Sequence, residues 1–148
     1  MLLKTVSVFT GPLQVNGDGS KGFLQMLKSY KELKVWKKAY ALCLLAYKFT
    51  ATFPNDERFG LISQIRRSAV SVPSNIAEGY GRKTRADYIR MLYIAYGSIC
   101  ELETQALIAV DLGYLGKDKQ APIIDSITEV ERMLKALIKA LGTKSADS

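Results

Sequence analysis

Apolar residues at Ile123, Ile127, Val130, Leu134, Leu137 and Leu141 recur at alternating steps of four and three. That spacing puts one continuous stripe on an α-helix and scatters the same residues over both faces of a strand. The alternation returns at Tyr88, Leu92, Ala95, Ile99, Leu102, Ala106 and Ala109, and at Ile62, Ile65, Ala69, Val72 and Ile76. It appears once more at Trp36, Tyr40, Cys43 and Tyr47, with Val35, Leu42, Ala46 and Phe49 widening that face. Between the stripes stand breakers: Phe53-Pro54-Asn55-Asp56, Gly79-Tyr80-Gly81, and Gly113 with Gly116. Four amphipathic helices of one domain's length, joined by connections of about three to seven residues, predict an all-α, antiparallel up-down four-helix bundle. The bundle is expected over residues 28–142, from a first helix at about Tyr30–Thr52 to a stop at Gly142. A loose tail follows at 143–148. Residues 1–27 carry no helical period. MLLKTVSVF is strand-like and GPLQVNGDGSKG is rich in turn formers, so an irregular or strand-like arm precedes the bundle.

The second helix holds Pro73, which has no N–H to give to Ala69 and costs about 3 kcal/mol in a helix interior. A break near Val72 and a kinked, continuous helix both fit. The phase kept from Val72 to Ile76 favours the continuous one, with Gly79 and Gly81 ending it. Ser63, Arg67, Ser71, Ser74 and Glu78 lie on its polar face. Thr84 and Asp87 have capping-box spacing at the start of the third helix. The fourth opens near Asp118 to Pro122, where proline suits a first turn.

Composition removes several functions. No histidine occurs among the 148 residues, so Ser-His-Asp and Cys-His nucleophiles are excluded. Zinc sites lose their commonest ligand. Glu101 and Glu103, two positions apart on a helix, point to different faces and do not make a carboxylate pair. No cofactor or metal is expected, and the chain reads as a non-enzyme. Cys43 and Cys100 fall within apolar helical patterns and are expected as buried small hydrophobes, not a disulfide. No apolar run reaches the length of a membrane span, and a cytoplasmic protein without membrane contact is the expectation.

Charge is uneven. Residues 1–90 hold fifteen Lys/Arg against six Asp/Glu, and residues 91–148 hold six against eight. The basic excess suits an anionic partner or a polar interface between subunits. Its densest part is Arg82, Lys83 and Arg85, between two helix ends, which Arg66, Arg67 and Arg90 would extend. Lys34, Lys37 and Lys38 form a second cluster in the first turns of the first helix, where the helix dipole disfavours cations. Both clusters are candidate phosphate contacts, with a solvated or salt-bridged surface as the alternative. The third helix carries a second apolar line at Ile89, Tyr93, Tyr96 and Cys100. A bundle of four has no central helix, so this line points to a subunit interface.

The string QIRRSAVSVPSNIAEGYGR, with YKELKVWKKAYAL before it and DYIRMLYIAYGSICELETQ after it, resembles the four-helix-bundle proteins encoded in intervening sequences of bacterial 23S rRNA genes. The likeness spans about residues 30–142. It implies a ring-like homopentamer and a basic surface that binds nucleic acid, with structured RNA, rRNA among it, as the natural ligand. A related bundle is the accessory protein of diversity-generating retroelements. That relation implies a second reading, a scaffold for a reverse transcriptase. Residues 1–27 match neither group.

Overall fold

The computed structural model describes residues 27–143. The expected arm, but for Leu27, and all of the tail except Thr143 lie outside the described residues. Four helices follow in order: α1 (Lys34–Thr50), α2 (Leu61–Tyr80), α3 (Arg85–Asp111) and α4 (Lys117–Gly142). One-turn 3-10 helices stand at Tyr30–Glu32 and Asn55–Glu57, and no strand occurs among the described residues. Each helix packs on its neighbours in the chain, and α4 closes on α1. Cross-helix pairs run in opposite senses. Ser71 on α2 meets Ser98 on α3 at 2.8 Å, and Ser68 donates to Glu101 at 3.5 Å. The architecture is the expected four-helix bundle.

The seams of α2, α3 and α4 are buried as their spacing predicts: Ile65, Val72 and Ile76, then Leu92, Ile99 and Leu102, then Ile127, Leu134 and Leu137. Each such side chain contributes about 1.5–3 kcal/mol by leaving water. On α1 the expectation is corrected. Val35, Ala39, Leu42, Ala46 and Phe49 face the core. Trp36 and Cys43 are half-buried, while Tyr40 and Tyr47 are exposed. Both lines have four-three spacing and lie one residue apart around the helix. The line with two alanines goes inward, because small side chains let α1 approach its neighbours closely. Cys100 is also corrected: it is exposed on α3.

Helix ends show which local signals carry weight. α1 begins at Lys34, because Leu33 is extended and separates it from the Tyr30–Glu32 turn. The connection from α1 to α2 covers residues 51–60, longer than expected, because it folds back into the core. Phe53 is buried between Phe49 and Tyr114, with ring centroids 5.2 and 5.4 Å away. Glu57 then accepts from the Leu61 amide at 2.8 Å and from the Tyr114 hydroxyl at 3.1 Å. One carboxylate thus caps α2 and ties down the turn after α3. In that turn Gly113 has φ 76°, and Tyr114 donates back to the Ala109 carbonyl at 3.0 Å. This is a Schellman stop. α4 starts at Lys117, ahead of Pro122, which lies in its second turn and not its first.

α2 runs through Pro73, which is buried. Polar side chains bond to the carbonyls around it: Ser74 donates to Val70 at 2.7 Å, and Asn75 donates to Ser71 at 2.8 Å. Gly79 is not a stop signal, because it lies inside the helix, and Gly81 is right-handed with φ −78°. A Cβ at Gly79 would sit 2.8 Å from Met91 Cβ and 3.0 Å from the Tyr88 ring. At this glycine α2 and α3 approach too closely for a side chain. Gly97, on α3, by contrast faces open space.

Two glycine substitutions should therefore act in opposite directions. Gly97→Ala should raise unfolding free energy by about 0.5–1 kcal/mol through helix propensity. Gly79→Ala should lower it by about 1–2 kcal/mol, since overpacking outweighs the same gain. Urea denaturation of both variants measures this.

Tyr88 supplies a second test. It is buried on α3, and its hydroxyl has no hydrogen-bond partner among the described residues. Burial, reinforced by nearby Tyr80, pushes its phenol well above the ordinary value of 10.0. The unfolded chain ionises this group first, so its contribution is intact below pH about 10 and is lost as pH rises above that. Tyr88→Phe should flatten the alkaline limb of a stability–pH curve relative to wild type.

Candidate nucleic-acid interface

Two clusters far apart in sequence stand at one end of the bundle. The α2–α3 connection, residues 81–84, is held by α2 on one side and by the Thr84 cap of α3 on the other. Thr84 Oγ accepts from the Asp87 amide at 3.1 Å and donates to the Asp87 carboxylate at 3.0 Å. The start of α1 lies beside it. Tyr80 donates to the Leu27 carbonyl at 2.7 Å, the Glu32 carboxylate helps raise the Tyr80 phenol after the larger effect of burial, and Tyr30 packs edge-on against Trp36 at 5.3 Å. Lys34, Lys37 and Lys38 in the opening turns of α1 therefore share an end with Arg82, Lys83 and Arg85. The amide-rich start of α3 adds partial positive charge there.

Not every cation at this end is free. Arg82 pairs with Glu78 at 2.6 Å, Arg90 with Asp87 at 3.7 Å and Lys38 with Glu129 of α4 at 3.2 Å. All three pairs are at the surface, where such bonds contribute little and exchange readily for another anion. Lys34, Lys37, Lys83 and Arg85 make no ion pair among the described residues.

Arg66 and Arg67 do not join this cluster. They lie about four turns back along α2, roughly 20 Å from the loop by helical rise. Arg67 is exposed. Arg66 is part of the packing, with its guanidinium 4.7 Å from the Tyr47 ring centroid and its Nε donating to Thr50 at 2.9 Å. The outward-facing Tyr47 is thus the platform that positions Arg66. Sequence spacing alone shows Arg66 between the two faces of α2 but not what meets it.

The four residues expected at a subunit interface divide between two places. Tyr93 and Cys100 face outward. Ile89 and Tyr96 are half-buried against α4, where the Tyr96 hydroxyl donates to Glu131 at 3.2 Å. Sequence reasoning missed other exposed apolar residues, among them Leu44 on α1, Ile94 and Ile108 on α3, Leu112 just after it, and Phe59, 90% exposed in the turn before α2. No helix among the described residues is long and apolar enough to cross a membrane, and no group of potential metal ligands occurs among them.

Arg66→Ala should lower unfolding free energy by about 1–2 kcal/mol, from one hydrogen bond and one cation–π contact. Arg67→Ala should stay within about 0.5 kcal/mol of wild type. Thermal melts of the two variants separate the structural arginine from the free one.

No curated protein matches the chain. Among solved structures, it is similar to a protein of unknown function from the S23 ribosomal protein family of Bacteroides thetaiotaomicron. The two share 28% identity with a TM-score of 0.65, over 71% of this chain and 98% of the other. The family model described as 23S rRNA-intervening sequence protein matches residues 31–136, which run from the turn before α1 well into α4. The chain belongs to the 23S rRNA-intervening sequence protein family.

Proposed function

We propose that this protein is a non-catalytic, cytoplasmic nucleic-acid-binding protein that holds structured RNA, rRNA among it, by its phosphate backbone. The observation that carries this is that Lys34 and Lys37 stand at the same end of the bundle as Lys83 and Arg85. Arg82, Arg90 and Lys38 stand at the same end in surface pairs that phosphate can displace. The family's own description, an intervening sequence of 23S rRNA, supports RNA as the polyanion. The protein acts as an oligomer. The outward face of α3, with Ile94, Cys100, Leu107 and Ile108, is the first surface it would bury, which leaves Tyr93 in the α3–α4 groove. A homopentamer is the assembly implied by the resemblance, and repeated sites would add weak phosphate contacts by multivalency.

Phe59 and Leu112 favour a second reading. Both are exposed apolar residues at the end opposite the basic cluster. They suit a scaffold that grips a protein partner, such as a reverse transcriptase, at one end and its nucleic acid at the other.

Titration with a structured RNA hairpin at several salt concentrations tests the first reading. Affinity should fall steeply with salt. In Arg82→Ala/Lys83→Ala/Arg85→Ala the slope of log affinity against log salt should flatten by about two to three, roughly one for each phosphate no longer neutralised. Absent or salt-insensitive binding by the wild type would refute it. Sizing alongside reports the assembly.

A further inference from the structure

Beside the basic end, α3 and α4 part to leave an open groove of about 640 Å³, lined by Ile89, Tyr93, Tyr96, Lys135, Ile138 and Lys139. Its base is apolar and its rim is cationic. Ile89, Tyr93 and Tyr96 lie one above another on α3, and Arg85 continues the same line one turn nearer the loop. The Ile89 end of the groove is thus one helical turn from Arg85, in the cluster that the proposed function assigns to phosphate. Across it stand Lys135 and Lys139. Lys135 bonds Glu131 at 3.0 Å and lies over the Tyr96 ring at 5.4 Å, which holds its ammonium above the ordinary lysine range. That pair offsets the charge of the Glu131 carboxylate. Lys139 makes no ion pair among the described residues. Tyr93 is 59% exposed, so a ring face is open to a ligand while Ile89 and Ile138 wall the groove.

The geometry points to a subsite for one unpaired nucleotide, its base stacked on Tyr93 and its phosphates held by Arg85 and Lys139. This rests on the nucleic-acid reading and deepens it. An apolar, aromatic strip continuous with a cationic mouth fits a flat base carrying a phosphate. In a duplex the base faces are stacked on one another, so only a single strand, a loop or a frayed end can supply one. The protein would then grip RNA by its backbone at the loop and select for a neighbouring unpaired base in the groove.

The experiment compares a short fluorescein-labelled oligouridylate with a blunt RNA duplex, binding each to the full chain. Tyr93→Ala should weaken oligouridylate by roughly 5- to 150-fold, the range for loss of one base–aromatic stack. It should leave the salt slope and the duplex affinity as in wild type, and Tyr93→Phe should keep the wild-type affinity. Wild-type oligouridylate affinity in Tyr93→Ala, or an equal loss on the duplex, overturns the subsite. If Tyr93→Ala disturbs folding or assembly, Lys139→Gln decides. It must weaken oligouridylate more than duplex, and equal weakening overturns the proposal. Should wild type bind neither probe at low salt, the nucleic-acid reading itself fails. Should it bind both with Tyr93→Ala unchanged, only the subsite fails.

Discussion

The close approach of α2 and α3 at Gly79 sets the geometry that the rest of the molecule uses. Met91 Cβ and the Tyr88 ring occupy the space that a side chain at this position would need. Further along the same seam, Ser68 and Ser71 meet Glu101 and Ser98, and their short side chains keep the two helices near each other. Packing of this kind is intolerant of added volume, since interiors are filled to crystal density. It leaves only residues 81–84 to turn the chain, and those residues include Arg82 and Lys83. The basic loop is thereby a short, capped turn between two long helices, not a mobile excursion.

Its position also depends on polar ties at both ends. At one end Tyr80 reaches the backbone of Leu27 and brings the opening lysines of α1 beside the loop. At the other end Glu57 caps α2 and holds Tyr114, while Phe53 fills the core beneath. The two ends then differ in character. One gathers Lys and Arg and lies one helical turn from the α3–α4 groove. The other exposes Phe59 and Leu112. A bundle with unlike ends can hold a polyanion at one and leave the other for contacts of a different kind.

Much of the fold was legible because burial follows helical phase. The α4 seam from Ile123 to Leu141, the α3 seam from Tyr88 to Ala109 and the Thr84 cap are found where spacing and side-chain chemistry put them. The candidate site was legible only in part. Lys83 and Arg85 stand out as a local cluster, and so do Lys34 and Lys37, but no local pattern says that the two share an end of the bundle. Arg66 and Arg67 read as part of the cluster because they are near it in sequence. Four turns of rigid helix carry them away from it, and Arg66 ends against Tyr47 and Thr50.

By itself the sequence determined the helices, their approximate limits, the bundle class and the surplus of positive charge on the first half of the chain. Each of these follows from local periodicity, breaker residues or a sum over side chains. Tertiary structure alone decided which of two equally spaced apolar lines on α1 would face inward. It also decided that Gly79 serves packing while Gly97 is open, and that Tyr93 borders a groove. These outcomes depend on which atoms of another helix arrive at a given place. A pattern within one helix shows that a face is apolar, but only the neighbouring helix decides whether that face is covered.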